Sequence, residues 1–159
     1  MSWRQTTIET QSHLAASPAQ VWPHISHMRG VNAELSPWVR MTFPSEALGM
    51  SLASAPVRTL VFSSWVLFLS FLPIDRHHLR LEEIWPGAGF LEDSGTWLHR
   101  RWRHERRLTR TERGGTLLVD RVTFEPRIPF LTPLIKPMVA FIFKHRHRRL
   151  GAYFGSYRN

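Results

Sequence analysis

What most constrains this chain is the order in which two hydrophobic periods appear along it. From residue 57 to residue 125 the apolar residues fall into segments of β-branched and aromatic character separated by glycine or proline turns, and from residue 138 onward the spacing becomes helical. Consecutive strands joined by short turns pair as an antiparallel meander, and one long helix placed after them must bury its apolar side on a face of that sheet. The expected class is therefore α+β, with a curved antiparallel sheet of six to seven strands and a long C-terminal helix across its concave face.

The rest of the chain fits this frame. Residues 6–16 alternate Ile8, Thr10, Ser12, Leu14 against Thr7, Glu9, Gln11, His13, which predicts a half-buried first strand. Ser17 and Pro18 predict a helix start, with Ser17 as cap and Pro18 where a missing N–H is harmless. Val21, Trp22, Ile25 and Met28 give that helix its buried stripe; Gly30 is expected to break it, with a short helical turn following through Leu35. Pro37 then favours an extended segment over 38–43. Residues 45–56 predict a loop with a short strand near Leu52, and residues 57–72 a long, well-buried strand, favoured over a buried helix for 64–72. Further strands are expected over 77–85, 90–96, 100–109 and 116–125, and the final helix from Met138, with Lys144, Arg146, His147, Arg148 and Arg149 on its outer side.

Length and composition bound the function. One domain over residues 1–159 is expected, and 43% hydrophobic residues, with seven Trp and ten Phe, supply a core of ordinary size. With no cysteine, disulfides, thiolate metal sites and thiol nucleophiles are excluded. Residues 1–7 lack the apolar run of a secretory leader, and the most apolar stretch, 60–72, is shorter than the roughly 20 residues of a spanning helix. A cytoplasmic location is expected. Residues 1–75 hold four Arg against four acids, whereas residues 76–159 hold 17 Lys/Arg against eight, so the whole charge of +9 lies in the second half. Such a field serves solubility, and it can also draw an anionic membrane surface, a nucleic acid or an acidic substrate. No nucleic-acid-binding motif or aromatic stacking platform accompanies it, which argues against nucleic acid. Neither His77-His78 nor His145 with His147 has helical i, i+4 ligand spacing, so no metal is expected.

Three segments together resemble a known family. Residues 8–25, centred on Leu14-Ala15-Ala16-Ser17-Pro18-Ala19-Gln20-Val21-Trp22, are similar to its first strand and helix. Phe90-Leu91-Glu92 followed by Trp102-Arg103-His104-Glu105-Arg106 is similar to its aromatic, acid, Trp-x-His-x-His pattern. Gly115 to Val122, with Phe143-Lys144-His145-Arg146-His147-Arg148-Arg149-Leu150, is similar to its last strand and long helix. The family is the SRPBCC (START-like, helix-grip) superfamily, in particular its bacterial polyketide cyclase/dehydrase-like members. The chain departs from the pattern at Trp97-Leu98-His99, where many members have Gly-Pro-Phe, and at Arg106, which stands in place of the second histidine. The resemblance implies an apolar cavity between sheet and helix, and a ligand rather than a particular reaction.

On the strand over 100–109, Trp102, His104, Arg106 and Leu108 share one face and Arg101, Arg103, Glu105 and Arg107 the other. Placed toward an apolar cavity, His104 and Arg106 need partners, and Glu92 and Asp120 are nearest by meander order. In a catalytic reading His104 is a general acid or base, Asp120 or Glu92 orients it, and Arg106 holds a developing enolate or carboxylate. In a structural reading the four form an ion-pair network that closes the cavity and selects register. Trp65, Leu67, Leu69, Phe71, Trp102, Met138, Phe141, Ile142 and Tyr153 are the expected cavity lining. The expected function is binding of a small hydrophobic, partly oxygenated molecule, with cofactor-free cyclisation or dehydration of a polyketide-like substrate as its catalytic form. A non-catalytic carrier or sensor, or an accessory protein that meets a partner through its basic surface, is the alternative. Monomer and homodimer both remain open.

Overall fold

In the computed structural model, which describes residues 5–157, the period-two segments pair into one sheet. Its strands are β1 (Thr6–Leu14), β2 (Val39–Met41), β3 (Leu60–Phe68), β4 (Leu72–Trp85), β5 (Gly89–Thr96), β6 (His99–Arg110) and β7 (Thr116–Pro126). Three helices accompany them: α1 (Pro18–Ile25), α2 (Met28–Leu35) and α3 (Thr132–Phe154). Every pairing is antiparallel, in the order β1-β7-β6-β5-β4-β3-β2, and the sheet curls into a half-barrel around α3. Residues 1–4, expected to carry no leader, lie outside the described residues.

Alternation decides what faces α3. Along β7, Thr116, Leu118, Asp120, Val122 and Phe124 are buried while the residues between them are less so, and β6 repeats the pattern with His104, Arg106 and Leu108. Toward the C-terminal end of α3, Leu14, Val21, Ile25, Leu108, Leu118 and Leu150 form one apolar cluster. Val122, Phe124, Val139 and Phe143 form a second against the middle of the helix. Leu79, Leu81 and Phe90 make a third under the far half of the sheet.

At the start of α1, Pro18 opens the helix and the Gln20 carboxamide oxygen accepts the Ser17 N–H at 2.9 Å. Gly30 does not end the helical segment, as its lack of a side chain suggested; it lies inside α2. A Cβ there would collide with the carbonyl oxygen of His24, so glycine lets the two helices cross backbone to backbone. The segment near Leu52 is a 3₁₀ turn rather than a strand.

Residues 57–72 also differ from expectation. They form β3, a reversal in which Leu69 and Ser70 adopt φ of 50° and 70°, and the start of β4. Nor is this stretch well buried, because only the three-residue β2 lies beyond β3 and the hairpin end projects past its neighbours. Helix α3 begins six residues before Met138. Pro133 falls in its first turn, where no N–H is needed, and Pro137 forgoes one backbone bond within a helix held by its packing. Arg146 and His147, expected on the outer side, are buried toward the sheet. Among the described residues no helix is long and apolar enough to cross a membrane.

Candidate functional site

Between α3 and the concave face of the sheet lies a cavity of about 650 Å³. Phe62, Val66 and Phe68 of β3, Leu79 and Leu81 of β4, and Phe90 of β5 make its apolar wall. Of the residues expected there, Trp102, Met138, Phe141 and Ile142 line it. Trp65, Leu67, Leu69, Phe71 and Tyr153 do not. Periodicity gives a strand two faces without saying which is inner, and in β3 the even-numbered residues face in. Trp65 instead packs outside, its ring 5.0 Å from that of Trp97 with the Arg76 guanidinium 4.7 Å above it. Leu69 and Phe71 occupy the hairpin tip, and Tyr153 stacks on His24 near the far end of α3.

One wall is polar, contributed by Asp75 and His77 of β4, Glu92 and Thr96 of β5, and His99 and His104 of β6, with Arg146 of α3 beside them. Strand register brings these groups together, since Glu92 pairs with His104 and Arg106 with Asp120. Asp120 takes Arg106 Nε on Oδ1 and Nη2 on Oδ2, both at 2.7 Å. It also accepts His104 Nε2–H at 2.8 Å and His147 Nε2–H at 2.9 Å. Arg106 Nη1 donates to both oxygens of Glu34 at 2.9 and 3.1 Å, and Arg146 Nε reaches the same carboxylate at 2.8 Å.

This arrangement separates a buried network from a working surface. Four donors fill the acceptor capacity of Asp120. Burial alone would raise its carboxyl, yet Arg106 and then His104 hold it well below the usual carboxylate range. Glu34 is likewise kept low by Arg106 and Arg146 against the effect of burial. Burial works against the charged Arg106 as well, but Asp120 and Glu34 raise its guanidinium further. Neither Arg106 nor Asp120 reaches the cavity. The expected role of Arg106 in holding an enolate is therefore replaced, because all three guanidinium nitrogens are committed to carboxylates behind the wall.

His104 and Glu92 do line the cavity. A carboxylate can only accept, so the bond to Asp120 fixes a proton on His104 Nε2 and leaves Nδ1 as the position that can carry a lone pair. That Nδ1 lies 3.7 Å from Glu92 Oε2, beyond hydrogen-bond length and close enough for a ligand oxygen to touch both. Glu92 Oε1 is taken by His77 Nε2–H and by Ser94 Oγ–H, the latter at 2.7 Å. Burial would raise Glu92, and His77 and His104 keep it below the ordinary value.

His99 adds a second polar position. Thr96 Oγ1 accepts the backbone N–H of Leu98 at 3.1 Å and of His99 at 2.9 Å, so its own hydrogen is left for His99 Nδ1 at 3.1 Å. Burial lowers the His99 imidazole, which favours the neutral ring with its proton on Nε2. That Nε2 has no hydrogen-bond partner among the described residues.

Sequence reasoning missed His77, His99, Glu34, Arg146 and His147. Glu34 carried a signal, since it lies with Val31 and Leu35 on the apolar side of α2 and is the acid that a buried Arg106 requires. Among the described residues no cluster of three or more His, Cys, Asp or Glu is arranged to hold a metal ion.

Comparison with solved structures gives the same architecture. A protein from Chromobacterium violaceum matches with a TM-score of 0.68 at 15% identity, over 95% of this chain and 98% of that one. The Zhui aromatase/cyclase from a Streptomyces species matches at 0.66 and 13% identity, over 92% and 91%. A START superfamily protein from Mycobacterium smegmatis matches at 0.65 and 10% identity, over 93% and 96%. No curated protein matches the sequence. At such identities the likeness establishes the SRPBCC, START-like fold. The sequence family described as Domain of unknown function (DUF8410) spans residues 12–154, and this chain belongs to it.

Proposed function

We propose that the chain acts as a single cytoplasmic domain that binds a small hydrophobic molecule bearing an oxygen function, with His104 as the acid–base group that acts on it. The observation that supports this reading is the pairing of a large apolar cavity with one short polar wall, where His104 Nδ1 and Glu92 Oε2 lie 3.7 Å apart. The His104 Nδ1 lone pair would take a proton from the carbon beside a ligand carbonyl, and the imidazolium would then return it to the alkoxide formed as the new C–C bond closes in cyclisation, or to the hydroxyl that leaves as water in dehydration, with no cofactor needed. Asp120 and Arg106 are positioning residues in this scheme, because they hold the imidazole and touch no ligand. The Streptomyces aromatase/cyclase of the same fold agrees with it.

A carrier without chemistry is the second reading. It is favoured by the breadth of the opening, where Leu134, Met138 and Phe141 stand partly in water. Native mass spectrometry of the purified protein tests the shared part: a co-purified small molecule is expected, and a bare protein that also fails to bind 1-anilinonaphthalene-8-sulfonate refutes ligand binding. With a ligand in hand, His104→Ala separates the two readings. Lost turnover with retained affinity supports the enzyme, and no turnover in the unaltered protein leaves the carrier.

A further inference from the structure

The cavity opens at the end of the sheet where β3, β5 and β7 finish and β4, β6 and α3 begin. Large apolar side chains stand in water at that end, Leu134 on the cavity lining and Phe71, Trp97 and Phe130 beyond it. Phe71 at the β3–β4 tip is 72% exposed, Trp97 at the β5–β6 turn 58%, and Phe130 and Leu134 at the start of α3 80% and 61%. Three separate connections thus present aromatic or aliphatic tips at one end. They are tied together, since Trp97 N–H bonds the Arg76 carbonyl at 3.2 Å and Arg127 N–H bonds the Leu98 carbonyl at 2.9 Å. A folded chain does not leave such a patch in water without use.

Charge identifies what covers it. Arg100 of β6, Arg127 ahead of α3 and Lys136 of α3 are exposed on or beside the connections that carry the apolar tips, Arg40 is exposed on the edge strand β2, and the Arg127 guanidinium keeps its charge while its Nε and Nη2 bond the Thr96 carbonyl at 3.1 and 3.0 Å. Of the carboxylates at this end, Asp75 is buried, Asp93 is paired with Arg101 and Arg103, and Glu125 lies opposite Arg101 in the sheet. The rim therefore has an apolar centre within a basic border. A second copy of the chain would bring the same border against it and be repelled. An anionic bilayer offers the complement, with lipid phosphates for the arginines and an acyl layer for Phe71 and Phe130, while Trp97 sits at headgroup level.

We propose that the rim of the cavity mouth is a membrane-docking face, on which the protein rests against anionic lipid with its cavity open toward the acyl layer. An apolar ligand then passes between bilayer and cavity along continuous apolar surface. The face stands apart from the basic C-terminal half of α3, where Arg146 and His147 point inward and Arg149 bonds the Ala33 carbonyl at 3.1 Å. It holds whether or not His104 performs chemistry.

Vesicle sedimentation of the full chain tests it, using phosphatidylcholine alone and with phosphatidylglycerol at about 30 mol%. Binding to the mixed vesicles only is expected, weakened in about 0.5 M NaCl. The double variant Phe71→Ser, Phe130→Ser should bind at least about tenfold more weakly. Its melting temperature should not fall, because both rings are already in water. Arg148→Glu should leave binding within about twofold of the unaltered protein. The proposal is overturned if the unaltered chain ignores anionic vesicles, or if the double variant binds undiminished. It is equally overturned if light scattering finds a dimer that the double variant dissolves. Native mass spectrometry of the double variant keeps the two ideas apart: ligand retained with docking lost is the expected pattern. Docking without any ligand would leave this face standing and sink the binding function.

Discussion

The Asp120 carboxylate spans the Arg106 guanidinium, Oδ1 on Nε and Oδ2 on Nη2, each at 2.7 Å, across the β6–β7 pairing. Two parallel bonds between neighbouring strands fix their register, and the third nitrogen ties α2 to the sheet through Glu34. Replacing the cation strands two buried anions. Arg106→Met should cost about 3–5 kcal/mol in urea denaturation, and adding Glu34→Gln should recover part of it. A loss under about 1 kcal/mol would show that the network contributes little to folding.

Asp120 also sets the tautomer of His104. In Asp120→Asn the amide can turn its NH₂ toward the ring, and the constraint on Nε2 disappears. Long-range ¹H–¹⁵N correlation should show His104 protonated at Nε2 in the unaltered protein, with a mixture or the opposite tautomer in the variant. Ligand affinity should change little, since Asp120 does not line the cavity.

Acid should weaken the fold in two stages. Burial holds His99 below its ordinary value of 6.5, and His24 moves the same way. Both bind a proton more readily unfolded than folded, so their contribution is complete above pH 6.5 and declines as pH falls beneath it. Glu34, Glu92 and Asp120 lie below their ordinary 4.5, 4.5 and 3.8. Their contribution is present above those values and is lost as pH falls through the lower folded ones. Urea midpoints should slope gently from pH 7 to about 5 and steeply below about 4. His99→Phe should flatten the first stage and spare the second.

Gly30→Ala should destabilise by about 1–3 kcal/mol although alanine is the better helix former, because the added methyl meets the His24 carbonyl. Thermal melting distinguishes this from a helix-propensity effect, which would raise the midpoint.

Much of the architecture was legible because alternation and turn chemistry are local. The β6 and β7 segments, the Ser17-Pro18 helix start and the closing helix needed no knowledge of distant contacts. Register, too, could be followed through the short meander turns, which is why His104, Arg106, Asp120 and Glu92 were named together. What stayed hidden depends on long-range placement. The inward face of β3, the hairpin at Leu69 and Ser70, and the turning of Arg146 and His147 toward the sheet follow from where the sheet curls against α3. So does Glu34, whose partner lies 72 positions away in sequence.

The two halves of α3 are fastened differently. Arg146 on Glu34, His147 on Asp120, and Leu150 in the core bolt down its C-terminal part, whereas Leu134, Met138 and Phe141 carry no polar tether and Pro137 breaks the backbone ladder between them. A cargo too bulky for the hollow would therefore lever the front of the rod outward like a jaw, leaving the hinge and the His104 imidazole undisturbed, and amide hydrogen exchange should run faster ahead of Val139 than behind Phe143.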